Sequence, residues 1–293
     1  MTVLSDVSTA LGDAVARVEP SVVAVHGGRC DTASGVAWGK DLVVTAAHVI
    51  ERERGVEVTY AGGRTPATLV GADAASNLAV LRVEAELVPP VFADPARLRL
   101  GEVALLLSRG GRGARARFGV ISRLGGEWKL GGGTRVARYV ESDFAPEPGL
   151  SGSALVNAAG ELIGVNAAGL VRGSLVALPA DSVSQLVDAI TRHGRVRRAR
   201  LGVGLERVEL PRAHQERLGR RRALVVLSVL EGSPADRGGL LLGDVILSVG
   251  GQAVERVDDL QSALGESAID VALEVGILRA GVEQSVTLTP EAR

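Results

Sequence analysis

The sequence predicts a mostly β protein, a large all-β unit followed by a small mixed β/α unit. Three observations carry this. From Ser21 to about residue 178, short runs of Val, Leu, Ile and Ala recur, each bounded by Gly, Asp, Pro or polar turns. Regularly spaced short strands argue for a barrel or sandwich rather than βαβ units. A basic stretch, Gly-Arg-Val-Arg-Arg-Ala-Arg at 194–200, then separates this part from about 90 residues in which strands alternate with a helix. The length of 293 residues accommodates one large or two medium domains.

In the N-terminal segment, 1–20, the spacing of Val3, Leu4, Val7, Leu11, Val15 and Val18 predicts a short amphipathic helix. Strands are predicted at 22–25, 35–38, 42–45, 56–60 and 78–83, and again at 103–107, 118–122, 139–142, 154–156, 162–166 and 175–178. Pro179-Ala180-Asp181 opens a helix over 182–192 with Val183, Leu186, Val187 and Ile190 on one face. The first domain is therefore 21–193, the linker 194–200 and the second domain 201–290. The latter reads as strands at 201–205, 223–229, 244–249, 271–279 and 284–288, with a helix near 257–264.

Hydrophobic residues make up 46% of the chain and aromatics 2%, so the core must be aliphatic. A net charge of −1 gives no general case for a nucleic acid partner. Ten Arg lie between 195 and 222 against Glu206, Glu209 and Glu216, an excess of ten minus three, or seven. No aromatic is interleaved for base stacking, so this reads as a solvated or contact face. The single cysteine, Cys30, excludes an intrachain disulfide and reads as a small buried or half-buried side chain. Residues 1–17 carry Asp6 and Asp13 and lack the pattern of a signal peptide. No run reaches the ~18 uncharged apolar residues of a membrane span. The chain is expected to be soluble, cytoplasmic as it stands or periplasmic after removal of a leader. Scattered histidines, and the lack of H-E-x-x-H and of a phosphate-binding G-x-x-x-x-G-K-[ST] loop, predict neither metal nor nucleotide cofactor.

Chemistry is concentrated in three blocks. In Gly149-Leu150-Ser151-Gly152-Ser153 the glycines permit a tight turn that exposes the Ser151 hydroxyl, and the N–H groups of Gly149 and Ser151 can converge on an oxyanion. Alone, a G-x-S-x-G run is weak evidence. A hundred residues upstream, His48 ends the apolar strand 42–45 after two alanines, where its imidazole can enter a cleft as a base. His26, His193 and His214 have no such context. Between the two blocks lies Ser76-Asn77-Leu78-Ala79-Val80-Leu81.

Together these blocks resemble the HtrA/DegP-type serine proteases. Val43-Val44-Thr45-Ala46-Ala47-His48 is similar to the family's histidine block, 71–81 to its acid block, and 141–157 with Gly160–Asn166 to its serine block. Glu231-Gly232-Ser233-Pro234-Ala235 with Gly243-Asp244-Val245-Ile246 resembles a PDZ signature, and Leu201-Gly202-Val203-Gly204 the family's carboxylate-binding loop. The resemblance runs from about Ser21 to Pro290. It implies a chymotrypsin-like double β-barrel followed by a PDZ domain, with Ser151 as nucleophile, His48 as base and the Gly149 and Ser151 N–H groups as oxyanion hole. It further implies polypeptide substrates, a small aliphatic residue before the scissile bond, and peptide C-termini held at Leu201–Gly204, where successive N–H groups and a strand edge can capture them.

The chain departs from this pattern in places. The catalytic aspartate position is Asn77, an exchange that costs ~10⁴ in kcat in the chymotrypsin-type case, or roughly 5.5 kcal/mol of barrier. Asp73 is four residues away, roughly 13 Å along an extended segment, and would need a rearrangement to replace it. Leu150 and Ser153 stand where the family carries Asn and a second Gly. Residues 1–37 hold no aromatic of the kind that locks family trimers, so the resemblance does not imply a trimer should the chain form a homo-oligomer. The segment after His48, Glu51–Gly55, is short. The same residues admit a second reading, a catalytically impaired pseudoprotease that binds peptides or regulates.

Overall fold

The computed structural model describes residues 2–27, 32–50 and 55–292; Cys30 and residues 51–54 of the segment after His48 lie outside the described residues. The chain divides into two compact units, residues 1–130 with 135–196, and residues 131–134 with 197–293.

The first unit contains two closed six-stranded antiparallel barrels. One comprises β1 (Val22–His26), β2 (Thr32–Ala37), β3 (Leu42–Ala46), β4 (Val56–Tyr60), β5 (Gly63–Asp73) and β6 (Leu78–Val83), in the order β1-β2-β3-β6-β5-β4. Next come β7 (Val103–Gly110), β8 (Gly113–Leu124), the short pair β9 (Trp128–Lys129) and β10 (Arg135–Val136), β11 (Val140–Ser142), β12 (Ala154–Asn157), β13 (Leu162–Ala168) and β14 (Leu175–Pro179). Without the β9–β10 pair these close in the order β11-β14-β13-β12-β7-β8. Closure leaves no open sheet edge. The architecture is the chymotrypsin-like double barrel that the resemblance implies.

The core is aliphatic, as the composition requires. Val23, Val43, Val58 and Leu81 fill one barrel, and Leu106, Ile121, Leu155 and Ile163 the other. A third cluster joins Val44, Val80, Leu107 and Val165 to Val18 of helix α1 (Val3–Val18) and Val183 and Ile190 of α2 (Ala180–His193). Each such side chain contributes about 1.5–3 kcal/mol of burial. Only the second half of α1 packs: Ala14 and Val18 are buried, whereas Val3 and Leu4 are about four-fifths exposed.

Strand β5 is not visible in the sequence. Its inward positions are Thr65, Ala67, Gly71 and Asp73, too small or polar to mark an apolar alternation. Pro66, which argues against a central strand, pairs with Glu57 nevertheless.

The second unit is a sheet of β16 (Val203–Glu209), β17 (Arg222–Val229), β18 (Val245–Val249), β20 (Leu273–Arg279) and β21 (Val282–Leu288), with β19 (Gln252–Ala253) on β18. Strand β15 (Ala199–Arg200) pairs with β22 (Glu291–Ala292). The helices are α3 (Arg212–Leu218), α4 (Pro234–Arg237) and α5 (Val257–Ala263). Helix α3 escapes sequence reading because none of its residues is buried, so no apolar period marks it. Arginines of the basic stretch pair within the unit, Arg200 with Glu291 at 2.6 Å and Arg221 with Glu209 at 2.7 Å. The run Gly131–Gly133, which reads as a loose loop in the sequence, forms a short 3₁₀ turn. No helix among the described residues is long and apolar enough to cross a membrane.

Candidate active site

His48 sits on a single 3₁₀ turn, Ala47–Val49, at the end of β3. Asn77 occupies the tight turn between β5 and β6 with φ of 55°, a left-handed conformation that Asn tolerates better than most residues. The turn is tied to β3 by the Ala47 N–H, which donates to the Asn77 carbonyl at 2.9 Å. These two turns bring the side chains together: His48 Nδ1 lies 2.9 Å from Asn77 Oδ1.

Two backbone groups fix which way the Asn77 amide faces. The His48 backbone N–H donates to Oδ1 at 3.1 Å, and Nδ2 donates to the Ala168 carbonyl at 3.5 Å. Flipping the amide would set donor against donor and acceptor against acceptor. With Oδ1 accepting, Nδ1 carries the proton, and Nε2 is left with the lone pair that a base needs.

Asp73 does not stand in for the missing carboxylate. It is buried and caps its own turn, accepting from the Ser76 N–H at 2.9 Å and the Ser76 hydroxyl at 2.7 Å. Among the other histidines, His26 lies between Thr59 at 2.9 Å and Thr32 at 3.3 Å. Burial, then the nearby Arg64 charge, hold its pKa below the ordinary value.

Ser151 lies on the turn before β12 and is buried. Its Oγ accepts from the Ala168 N–H at 3.1 Å. Among the described residues no hydrogen bond joins it to His48. Ala168 thus holds Asn77 through its carbonyl and Ser151 through its N–H. The turn depends on glycine: φ is +82° at Gly149 and +83° at Gly152, and a Cβ on Gly152 would lie 2.2 Å from the Ser34 carbonyl. Leu150 is buried in the second barrel's core. Ser153, where a glycine was expected from the resemblance, is fully buried, donates to the Leu150 carbonyl at 2.6 Å and accepts from Asn166 Nδ2 at 3.0 Å. Ser153 thus ties the turn to β13, a role that sequence reading missed. Among the described residues, neither the Gly149 nor the Ser151 N–H donates to a protein acceptor.

In the second unit Leu201 and Gly202 precede the edge strand β16, which Val203 and Gly204 begin. All four line a cavity of about 650 Å³, between β16 and α5, with Leu260 and Leu264 on its wall. The loop is anchored by the Leu230 N–H on the Gly202 carbonyl and the Ala235 N–H on the Leu201 carbonyl, both at 2.9 Å.

Residues 33–165 match the trypsin-like peptidase domain family, and residues 199–289 match the PDZ domain family. The chain is 31% identical over 277 residues to a probable periplasmic serine endoprotease, DegP-like, of Marinomonas sp., covering 92% of this chain and 58% of that protein. It is 30% identical over 258 residues to the periplasmic serine endoprotease DegP of Escherichia coli K12, covering 85% and 54%. It therefore spans little more than half the length of these two relatives. The serine protease Do-like HtrA of Lactococcus lactis is 33% identical over 275 residues, covering 85% and 68%. Among solved structures, the HtrA-type protease AlgW with a decapeptide superposes with a TM-score of 0.76 at 28% identity, covering 97% of this chain and 98% of that one. A serine endoprotease from Yersinia pestis gives 0.75 at 26%, with the same coverage. The chain belongs to the HtrA/DegP family of trypsin-like serine proteases carrying a PDZ domain.

Proposed function

We propose that this chain is a serine endopeptidase that cleaves unfolded or damaged polypeptides and captures peptide C-termini at Leu201–Gly204. In this reading 21–193 is the protease domain and 201–290 the PDZ domain. The observation that carries it is the 2.9 Å contact between His48 Nδ1 and Asn77 Oδ1, with the amide held by the His48 N–H and the Ala168 carbonyl. It leaves Nε2 of His48 as a competent base.

The Ser151 hydroxyl gives its proton to Nε2 as Oγ attacks the scissile carbonyl. The oxyanion takes hydrogen bonds from the Gly149 and Ser151 N–H groups. His48 then protonates the leaving amine, and water repeats the sequence on the acyl-enzyme. For attack, Ser151 Oγ must exchange its Ala168 partner for His48, a side-chain rotation of the sort that substrate binding can drive. Asn77 orients the imidazole but brings no charge to the imidazolium, so turnover is weakened. Two relatives are described as periplasmic, which supports an extracytoplasmic site of action here as well.

A specific observation favours a second reading, a peptide-binding pseudoprotease: Ser151 is bonded to Ala168 rather than to His48. Hydrolysis of a fluorogenic peptide and of unfolded casein decides between them. The proposal expects a rate above that of Ser151→Ala; equal rates leave only the binding role.

A further inference from the structure

The tip of the β7–β8 hairpin reads Arg109-Gly110-Gly111-Arg112-Gly113-Ala114-Arg115-Ala116-Arg117, four arginines in nine residues. It lies beside the oxyanion turn. A cavity of about 340 Å³ is lined by Thr32, Ser34, Arg112, Arg115, Pro148 and Gly149. This cavity flanks the turn on the β2 side, and Ala168 of β13, which holds Ser151, is not among its lining residues. The arginines are unequally engaged. Arg109 is spoken for by Glu19 and the Val22 carbonyl. Arg117 binds Glu147, and Arg115 lies 4.0 Å from the same carboxylate. Among the described residues Arg112 has no ion pair. The hairpin's four guanidinium groups are therefore met by two carboxylates, Glu19 and Glu147.

Glu147 shows what this cluster takes. It is two residues before Gly149, its carbonyl accepts from the Leu150 N–H at 3.3 Å, and its side chain turns back onto the hairpin. The hydrogen bond from Arg117 holds its carboxyl below the ordinary carboxylate pKa. The chain's own carboxylate takes Arg117 and approaches Arg115, and Arg112 is left for another.

We propose that Arg112 and Arg115 form a subsite for an acidic side chain of the substrate, next to the scissile bond and on one side of it only. This rests on the peptidase reading above and adds a specificity to it. Gly149 of the turn lines the same cavity as Arg112 and Arg115, and an extended substrate advances ~3.3 Å per residue, so the subsite is assigned to the first or second residue on that side. Guanidinium groups suit the planar carboxylate. Exposed pairs yield about 1.4- to 5-fold each, so two arginines predict roughly a 2- to 25-fold preference for Asp or Glu over Asn or Gln. The preference fades as salt shortens the Debye length from ~10 Å at 0.1 M to ~3 Å at 1 M.

The test scans the two residues on each side of the cleaved bond with Asp, Asn and Lys in otherwise identical amidated peptides, so that the carboxylate loop plays no part. Expected is an acidic preference in kcat/KM on one side of the bond, lost in 1 M NaCl and inverted toward Lys by Arg112→Glu with Arg115→Glu. Equal rates for all three residues, with Ser151 still labelled by a fluorophosphonate, would overturn the subsite and leave the peptidase standing. Should no peptide be cleaved and Ser151 remain unlabelled, the peptidase reading fails. The subsite is then judged by anisotropy binding of the same peptides to Ser151→Ala, where equal affinity for Asp and Asn peptides rejects it.

Discussion

The turn Gly149–Ser153, which we read as the oxyanion turn, and the loop Leu201–Gly204, which we read as the carboxylate loop, would use the same chemistry on different supports. Both present backbone N–H groups beside glycines of positive φ. The turn is held by a buried polar network: Ser153 bonds the Leu150 carbonyl and Asn166, and the Gly152 N–H donates to the Asn166 carbonyl at 2.8 Å. The loop is held by packing, two backbone bonds and one long side-chain bond from the Ser233 hydroxyl to the Gly202 carbonyl at 3.5 Å, with Leu201 buried. The difference follows the charge each would meet. An oxyanion exists only near the transition state, so its donors must already stand in place. A terminal carboxylate is permanent and can draw its donors in. Errors in the turn should therefore appear in kcat, and errors in the loop in binding.

The sharpest way to break this comparison is Gly152→Ala. The added Cβ would lie 2.2 Å from the Ser34 carbonyl at a φ that disfavours it, so the turn has to move. Loss of one oxyanion donor costs 10²–10³ in kcat, and hydrolysis should fall by about 10³. Binding of a free C-terminus should be unchanged, as titration would show. A Gly152→Ala protein of near-normal kcat would mean that the turn is as pliable as the loop.

Second in size is Asn77→Asp. If the whole 10⁴ loss of the chymotrypsin-type exchange applied here, the carboxylate would restore that factor. That loss reflects the wrong tautomer, whereas here Oδ1 faces Nδ1. What remains is the difference between a neutral and a charge-assisted hydrogen bond, roughly 1–3 kcal/mol. The expected gain in kcat is therefore about 10- to 100-fold. A gain near 10⁴ would show the amide reversed; no gain would locate the defect in the oxyanion turn.

These two sites also mark how far the sequence reaches. An all-β first unit was legible because β1, β3, β6 and β13 are nearly continuous apolar runs; that it forms a double barrel was implied by the family resemblance alone. Strand β5 and helix α3 were not, since one faces inward with Thr, Ala and Gly and the other buries nothing. His48, Asn77 and Ser151 could be named from their blocks and given roles by the resemblance, yet their geometry could not be read. Whether Asn77 presents oxygen or nitrogen is decided by the His48 N–H together with the Ala168 carbonyl, ninety-one positions away. In the sequence Ser153 is only a departure from the family's second glycine; its contact with Asn166, on another strand, makes it an anchor.

Smaller effects are expected in the loop. In Gly202→Ala the Cβ would lie 2.3 Å from Ser233 Cβ, which cannot rotate aside, so the loop or the start of α4, which Ser233 caps, has to shift. The left-handed φ of +78° adds about 1–2 kcal/mol of strain. Affinity for a peptide with a free C-terminus should drop roughly tenfold, with kcat for a short amidated peptide unaltered. Equal affinity of the unaltered protein for free and amidated peptides would remove carboxylate capture altogether.

The last difference is in acid sensitivity. The network around the turn, Ser153, Asn166 and the Leu150 carbonyl, contains no ionisable group. The second unit instead buries Asp244, whose two oxygens accept from Arg279 at 2.7 and 2.6 Å and whose Oδ2 also accepts from the Leu241 N–H at 2.8 Å. Burial alone would raise the Asp244 pKa; the Arg279 hydrogen bonds, the Leu241 N–H and the Arg279 charge outweigh it and hold it below the ordinary value. A depressed carboxyl gives stability that is fully present above the ordinary Asp pKa of ~3.9 and is lost as pH falls through the folded-state value. Hydrogen exchange on the full chain should therefore show β18 and β20 losing protection below about pH 4 before β12 and β13 do, with the order of loss reporting the Asp244–Arg279 pair. Asp244→Asn should cost about 2 kcal/mol at pH 7 and flatten that acid response. An undiminished acid response in this variant would assign it to a group outside the pair.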